Sequence, residues 1–320
     1  MNRYRLVHIT EFSYDGPVSE SYNEVRLRPR QDEFQTSLSF HLATDPAAKT
    51  SAYQDLYGNW VHRFNVLPEH RYLRVEADSV VLVHDPRPLP NDGIALRELD
   101  ERADALDELY DLLCPTVYAP HLPAVKELVD AAERESGGPA AAFARAAAAL
   151  VHNRFRYEKG ATHVQSSIED ALRTHAGVCQ DFSHLLLAVL RMRGLPARYV
   201  SGYLVPQAAA EPGASAAEVI GGQASHAWTE VYLPGEGWFG LDPTLGQAVD
   251  QRHVRVAYGR DYGDVAPVRG VYKGHAGQRL SVDVRVRPAL DEEGREHLQE
   301  TAAGPAQPPP AEEPPQQQQQ

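Results

Sequence analysis

AGVCQDFSHLLLAVLRMRGLPARYV, residues 176–200, decides how the rest of the chain is read. Phe182, Leu185, Leu186, Val189 and Leu190 recur at steps of three and four, the apolar stripe of a buried helix. Gly194 and Pro196 end it, the glycine as a C-cap and the proline as a block to continuation. At its start stands Cys179, one of two cysteines in 320 residues. A thiolate is the reactive form of cysteine, and the free N–H groups and dipole of a helix start favour that anion. Gly177 leaves room for an approaching acyl group, and the Cys179 N–H is placed to face a developing oxyanion. A free cysteine on an apolar helix is nevertheless more often a small core residue. The nucleophile reading therefore needs a partner imidazole.

SHAWTEVYLPGEGWFGLDPT, residues 225–244, supplies one. A histidine opens one strand, a Pro-Gly-Glu-Gly turn reverses the chain, and an aspartate closes the next strand. An imidazole can take the thiol proton, and a carboxylate fixes its tautomer and balances its charge. His226 and Asp242 are the candidates for those two roles. Side chains alternate faces along a strand, so parity tests the idea. A plain four-residue turn pairs Leu233 with Trp238 and sets Asp242 opposite Thr229, on the wrong face from His226. The catalytic reading thus predicts a bulge or a three- or five-residue connection. An exposed polar pair in an ordinary hairpin predicts neither.

Outward from these motifs, residues 3–85 read as strands broken by turns: YRLVHITEFSY, YNEVRLRP, TSLSFHLA, VHRFNVL and LRVEADSVVLV. HDPRPLPND, residues 84–92, is a proline-rich linker. Helical patterns follow in RELDERADALDELYDLL, AVKELVDAAERE and PAAAFARAAAALVHNRF, and Ser166 with Glu169 has the spacing of a capping box. ARYVSGYLV joins the two strands already named, and QAAAEPGASAAEVIGGQ between them reads as a surface loop. The division expected is a β-rich N-terminal domain over 1–90, a catalytic domain with its preceding helices over 91–290, and a disordered Pro/Gln-rich tail over 291–320.

Composition excludes several classes. A net charge of −13 without a basic stripe argues against a nucleic-acid partner. No apolar run is long enough for a membrane helix and the first residues lack a secretion signal, so the expected location is cytoplasmic and no membrane partner is expected. Cys114 and Cys179 read as free thiols. No HExxH, paired CxxC or phosphate loop accompanies His163, His175 and His184, so no metal or cofactor is expected. Asp181 reads as a helix-start cap, Trp228 as either a wall of the acyl site or core, and Tyr157 and Gln180 as packing or surface residues.

GVCQDFSHLLLAVLRMRGLPARYVSGYL followed by SHAWTEVYLPGEGWFGLDPT resembles the core of the transglutaminase-like superfamily, in its bacterial cysteine-hydrolase branch. The opening stretch YRLVHITEFSYDGPVSESYNEVRLRPR resembles the N-terminal domain of the same branch. The resemblance implies an α+β, papain-like core with an N-terminal β-rich domain. It implies Cys179 as nucleophile, His226 as general base and then acid, and Asp242 as the orienting carboxylate. The function implied is cleavage of an amide or peptide bond through a thioester, with a peptide or amide as substrate. Glutamine transglutaminase activity and a peptide-binding module with a vestigial site are the alternatives. Family resemblance further implies a functional link to ATP-grasp and alpha-E proteins; it leaves the oligomeric state open.

Overall fold

A computed structural model describes residues 1–91, 94–99, 108–160, 166–206, 219–220 and 225–289. Most of the expected loop at 207–223, His163 and the whole tail at 291–320 lie outside the described residues. The first sheet draws on β1 (Asn2–Val25), β2 (Gln35–Asp45), β3 (Ser51–Gln54), β4 (Trp60–Val66) and β5 (His70–Val83). Two stretches expected as separate strands, YRLVHITEFSY and YNEVRLRP, are joined in the single strand β1. Pro17 cannot donate to a ladder, yet the strand continues through it because the pairing slips between Ser13 and Val18 and again between Ser19 and Tyr22.

The helices follow: α1 (Leu96–Leu99), α2 (Pro123–Ser136), α3 (Ala140–Arg154), α4 (Ile168–Thr174) and α5 (Cys179–Met192). The expected helix over RELDERADALDELYDLL is described only at its ends, as α1 and a 3₁₀ turn at 108–112. Ser167, not Ser166, caps α4, accepting from the Glu169 N–H at 3.3 Å. Two short parallel strands, β6 (Arg156–Tyr157) and β7 (Ala176–Gly177), tie the end of α3 to the approach to α5. Among the described residues no helix is long and apolar enough to cross a membrane.

The second sheet is five-stranded, in the order β12-β11-β10-β8-β13. Its members are β8 (Ala197–Leu204), β10 (Ser225–Leu233), β11 (Gly237–Asp242), β12 (Gln247–Ala248) and β13 (His253–Gly259), with β9 (Val219–Ile220) lying instead at the edge of the first sheet. After a helical turn at Tyr262–Val265 the chain makes β14 (Val268–Lys273) and β15 (Gln278–Pro288). Both pair antiparallel with β1. Both strands, which fall within the 91–290 span expected for the catalytic domain, thus complete the first sheet. Ladder hydrogen bonds to a long open edge of β1 drew them there, a long-range pairing that no local pattern encodes.

Three layers result. The helices bury Leu128, Phe143, Phe182, Leu186 and Val189 with Ala227, Val231 and Leu241 of the second sheet in one large core. On the sheet's other side, Tyr203, Val254 and Val256 pack against Tyr4, Leu6, Val81, Val83 and Val286 of the first sheet. Polar groups bind the same junction. Gln35 donates to the Arg255 carbonyl at 2.7 Å and accepts from its N–H at 2.8 Å, and Asn59 does the same for Tyr258 at 2.7 and 2.8 Å. These two buried amides satisfy the outer edge of β13, which would otherwise leave orphan backbone groups.

Candidate active site

Cys179 is the first residue of α5 and is half-buried. The Asp181 carboxylate accepts from the Val178 N–H at 2.8 Å, closing the turn that presents the thiol. A Cβ at Gly177 would stand 2.8 Å from Asp181 Cβ and Oδ2. The glycine thus makes way for this capping carboxylate, a constraint distinct from the room for substrate that the sequence suggested. Ser183 donates to the Cys179 carbonyl at 2.8 Å, and Thr229 of β10 donates to the Ser183 carbonyl at 3.1 Å. The start of α5 is thereby pinned to the strand that carries the histidine.

In the hairpin, Leu233 pairs with Gly237 and Thr229 with Leu241. The connection is three residues long, Pro234–Glu236, so the parity argument is met and His226, Trp228 and Asp242 share a face. Gly237 makes this turn possible with a φ of 96°, in the left-handed region. His226 Nε2 lies 2.7 Å from Asp242 Oδ2. Cys179 stands within electrostatic reach of the same imidazole, and with Nε2 committed to Asp242 the nitrogen left for the sulfur is Nδ1. The structure thus brings together all three residues singled out in the sequence.

Asp242 is fully buried and carries more than one histidine. Its Oδ1 accepts from the N–H groups of Thr244 and Leu245 at 2.8 and 3.1 Å, and its Oδ2 also meets His253 Nε2 at 3.1 Å. His253, itself wholly buried, donates through Nε2 to the Asp242 carboxylate, while its Nδ1 lies 3.0 Å from the Asp250 nitrogen and 3.1 Å from Asp250 Oδ1. Sequence reasoning did not single out His253; its signal was slight, a histidine opening VRVAYG eleven residues past Asp242. The ligand atoms of His226, Asp242 and His253 lie within 4.8 Å of one another, the one grouping of metal-ligand type among the described residues. Both imidazoles already spend a nitrogen on the same carboxylate oxygen, an arrangement that orients rings.

Electrostatics follow from that burial. Desolvation opposes the imidazolium of His226, but the hydrogen bonds and charges of Asp242 and Cys179 outweigh it and raise its pKa to about 10. Burial likewise opposes the Asp242 carboxylate, yet the two histidines hold its pKa well below the usual carboxylate range. Trp228 is core: it is fully buried with Val200, Val249 and Tyr258, its ring 6.2 Å from that of His226 and 5.1 Å from that of His253. Gly202, opposite His226, has no space for a Cβ because the Trp228 ring would lie 2.6 Å away. Tyr157 is half exposed and stands within electrostatic reach of Cys179.

Cys179 and His226 open onto a cavity of about 620 Å³ whose opposite wall is the first sheet, including Thr10, Phe12 and Tyr14 of β1. A helix-start thiol meeting a His-Asp hairpin, inside a papain-like α+β core, defines the transglutaminase-like class of fold. Family comparison agrees: the transglutaminase-like superfamily matches residues 126–243, and the bacterial transglutaminase-like N-terminal region matches residues 4–82. An uncharacterised protein of Mycobacterium leprae is 37% identical over 289 residues, spanning 89% of this chain and 99% of its own. The chain belongs to the transglutaminase-like superfamily. A protein-glutamine gamma-glutamyltransferase of Pseudomonas aeruginosa is 29% identical over 131 residues, 40% of this chain and 19% of that one. Among solved structures, a Cytophaga hutchinsonii protein provisionally described as a cysteine protease superposes with a TM-score of 0.67 at 21% identity, over 88% of this chain and 90% of its own.

Proposed function

We propose that this protein is a cysteine-dependent acyl-transfer enzyme that opens an amide or peptide bond and releases the acyl group to water. The observation that carries the proposal is the continuous line from the Cys179 thiol through His226 to the buried Asp242 carboxylate at 2.7 Å, at the floor of a cavity of about 620 Å³. Cys179 Sγ attacks the carbonyl carbon while its proton resides on His226 Nδ1. The tetrahedral oxyanion is held by backbone N–H groups of the α5 start, including that of Cys179. His226 then returns the proton to the nitrogen of the leaving amine, the C–N bond breaks and a thioester remains. Water gives a proton to His226, its oxygen attacks the thioester carbon, and the C–S bond breaks to leave the carboxylic acid as product and the Cys179 thiolate beside protonated His226. His253 is a positioning residue in this scheme, fixing the carboxylate that fixes His226.

An amine in place of water would make the second half-reaction a transamidation, the activity named for the Pseudomonas relative of the central segment. Screening peptide amides against the full-length protein, with and without a primary amine, tests both. The expected result is a carboxylic-acid product, an acyl adduct on Cys179 in the mass spectrum, and no turnover by Cys179→Ala with its fold retained. Turnover by Cys179→Ala within about tenfold of the unaltered protein removes the thiol from the chemistry.

A further inference from the structure

The cavity at Cys179 is chemically lopsided. The chain has 44 acidic residues against 31 basic ones, yet no aspartate or glutamate is among the described residues that line this cavity. Two arginines are, Arg26 and Arg269. Arg26 is compensated, lying 3.4 Å from Glu24 and 3.4 Å from Asp55. Arg269, exposed at the start of β14 and paired through its backbone with Glu24 of β1, makes no side-chain hydrogen bond or ion pair among the described residues. It stands where the cavity joins a second one, of about 550 Å³, lined also by Glu24 and Arg63. Glu24 is taken there by Arg63 at 2.8 Å, and so does not occupy Arg269. Between the thiol and this guanidinium the lining is aromatic: Tyr199 feels the charge of Cys179, its ring lies 6.5 Å from that of Tyr262, and Tyr262 feels the charge of Arg269.

From this lining we infer that the acyl donor is an acidic peptide, whose side-chain carboxylate is received by Arg269 while the aromatic wall covers its backbone and Cys179 meets its amide carbonyl. The cation of His226 is matched by the charges of Asp242 and Cys179 that sustain it, and His8, the other histidine of the lining, has its pKa lowered to about 4 by burial and adds no charge of either sign at neutral pH, so Arg269 is the charge of the lining left to a substrate. In a protein whose surface is negative overall, a locally positive and carboxylate-free cleft selects anions and repels basic peptides. The inference rests on the reading of Cys179 as nucleophile, and its test separates the two.

Acetyl-dipeptidyl chloromethyl ketones carrying Glu, Gln or Lys at either position are reacted with the full-length protein, and alkylation of Cys179 is followed by mass spectrometry. The Glu probe should react about fivefold faster than its Gln counterpart in one of the two positions, and the Lys probe slowest, with the difference shrinking as salt rises. Arg269→Gln should bring Glu and Gln together, and Arg269→Glu should favour Lys, a reversal that loss of packing does not produce. Equal rates for Glu and Gln in the unaltered protein, or a preference that survives both substitutions, overturns the acidic donor while Cys179 stays reactive. Iodoacetamide provides the separate control: labelling of Cys179 no faster than that of Cys114 at about pH 7 removes the nucleophile itself, and the donor with it.

Discussion

Asp242 is the residue on which the electrostatics of the site turn. Asp242→Asn keeps the size of the side chain and removes the charge that holds the His226 proton. Alkylation of Cys179 by iodoacetamide should then slow at about pH 6, while at about pH 9, where an ordinary thiol ionises unaided, it should change little. His253→Phe takes away one charge-assisted hydrogen bond to that carboxylate and should slow the same reaction by about tenfold, again more at the acidic end. A uniform slowing across pH in either variant points instead to a displaced thiol. The raised pKa of His226 is also a statement about stability. Its contribution is fully present below the unfolded value of about 6.5 and is lost as pH rises through the folded value of about 10. Relative to His226→Gln, the melting temperature of the unaltered protein should decline over that window, as a thermal scan at several pH values would show.

At the scale of elements, the site depends on how a helix start meets a hairpin. The three-residue turn at Pro234–Glu236 sets the register that turns Asp242 toward His226, and Thr229 couples that strand to α5. Gly202 is the tightest point of the arrangement, since the Trp228 ring and the Val254 carbonyl oxygen fill the space a side chain would need. Gly202→Ala should therefore cost about 2–4 kcal/mol, through displaced Trp228 and a weakened β8–β13 ladder. Chemical denaturation measures it; a cost below about 0.5 kcal/mol, the usual range of surface changes, would mean that the strands part without penalty.

Across the whole molecule, the N-terminal sheet is structural wall and cavity wall at once. It covers the apolar face of the second sheet and satisfies the edge of β13 through Gln35 and Asn59. Residues 91–289 expressed alone should consequently be poorly soluble and lack a cooperative thermal transition, because that face and edge would be bare. Asn59→Ala in the full chain should lower stability by about 1–3 kcal/mol, the cost of leaving the buried Tyr258 backbone groups unpaired. A cooperatively folded fragment, or an unchanged midpoint for the variant, counts against this coupling.

Local sequence pattern was enough for α5, for the hairpin of β10 and β11, and for the choice of Cys179, His226 and Asp242 as the candidate site. The three- and four-residue periodicity of α5, the cysteine at its start and the His-to-Asp hairpin are short-range properties, and periodicity with turn chemistry encodes them directly. Parity even named the kind of turn that the histidine and aspartate require. Tertiary structure alone decided three other things: that β14 and β15 return to β1, that His253 becomes a second donor to Asp242, and that a sheet 1–90 in origin closes the cavity above the thiol. Each is a contact between residues far apart along the chain or brought together by a strand crossing. Such contacts are chosen by which apolar faces and open edges must be covered once the elements exist, and that choice is made by the packed molecule as a whole.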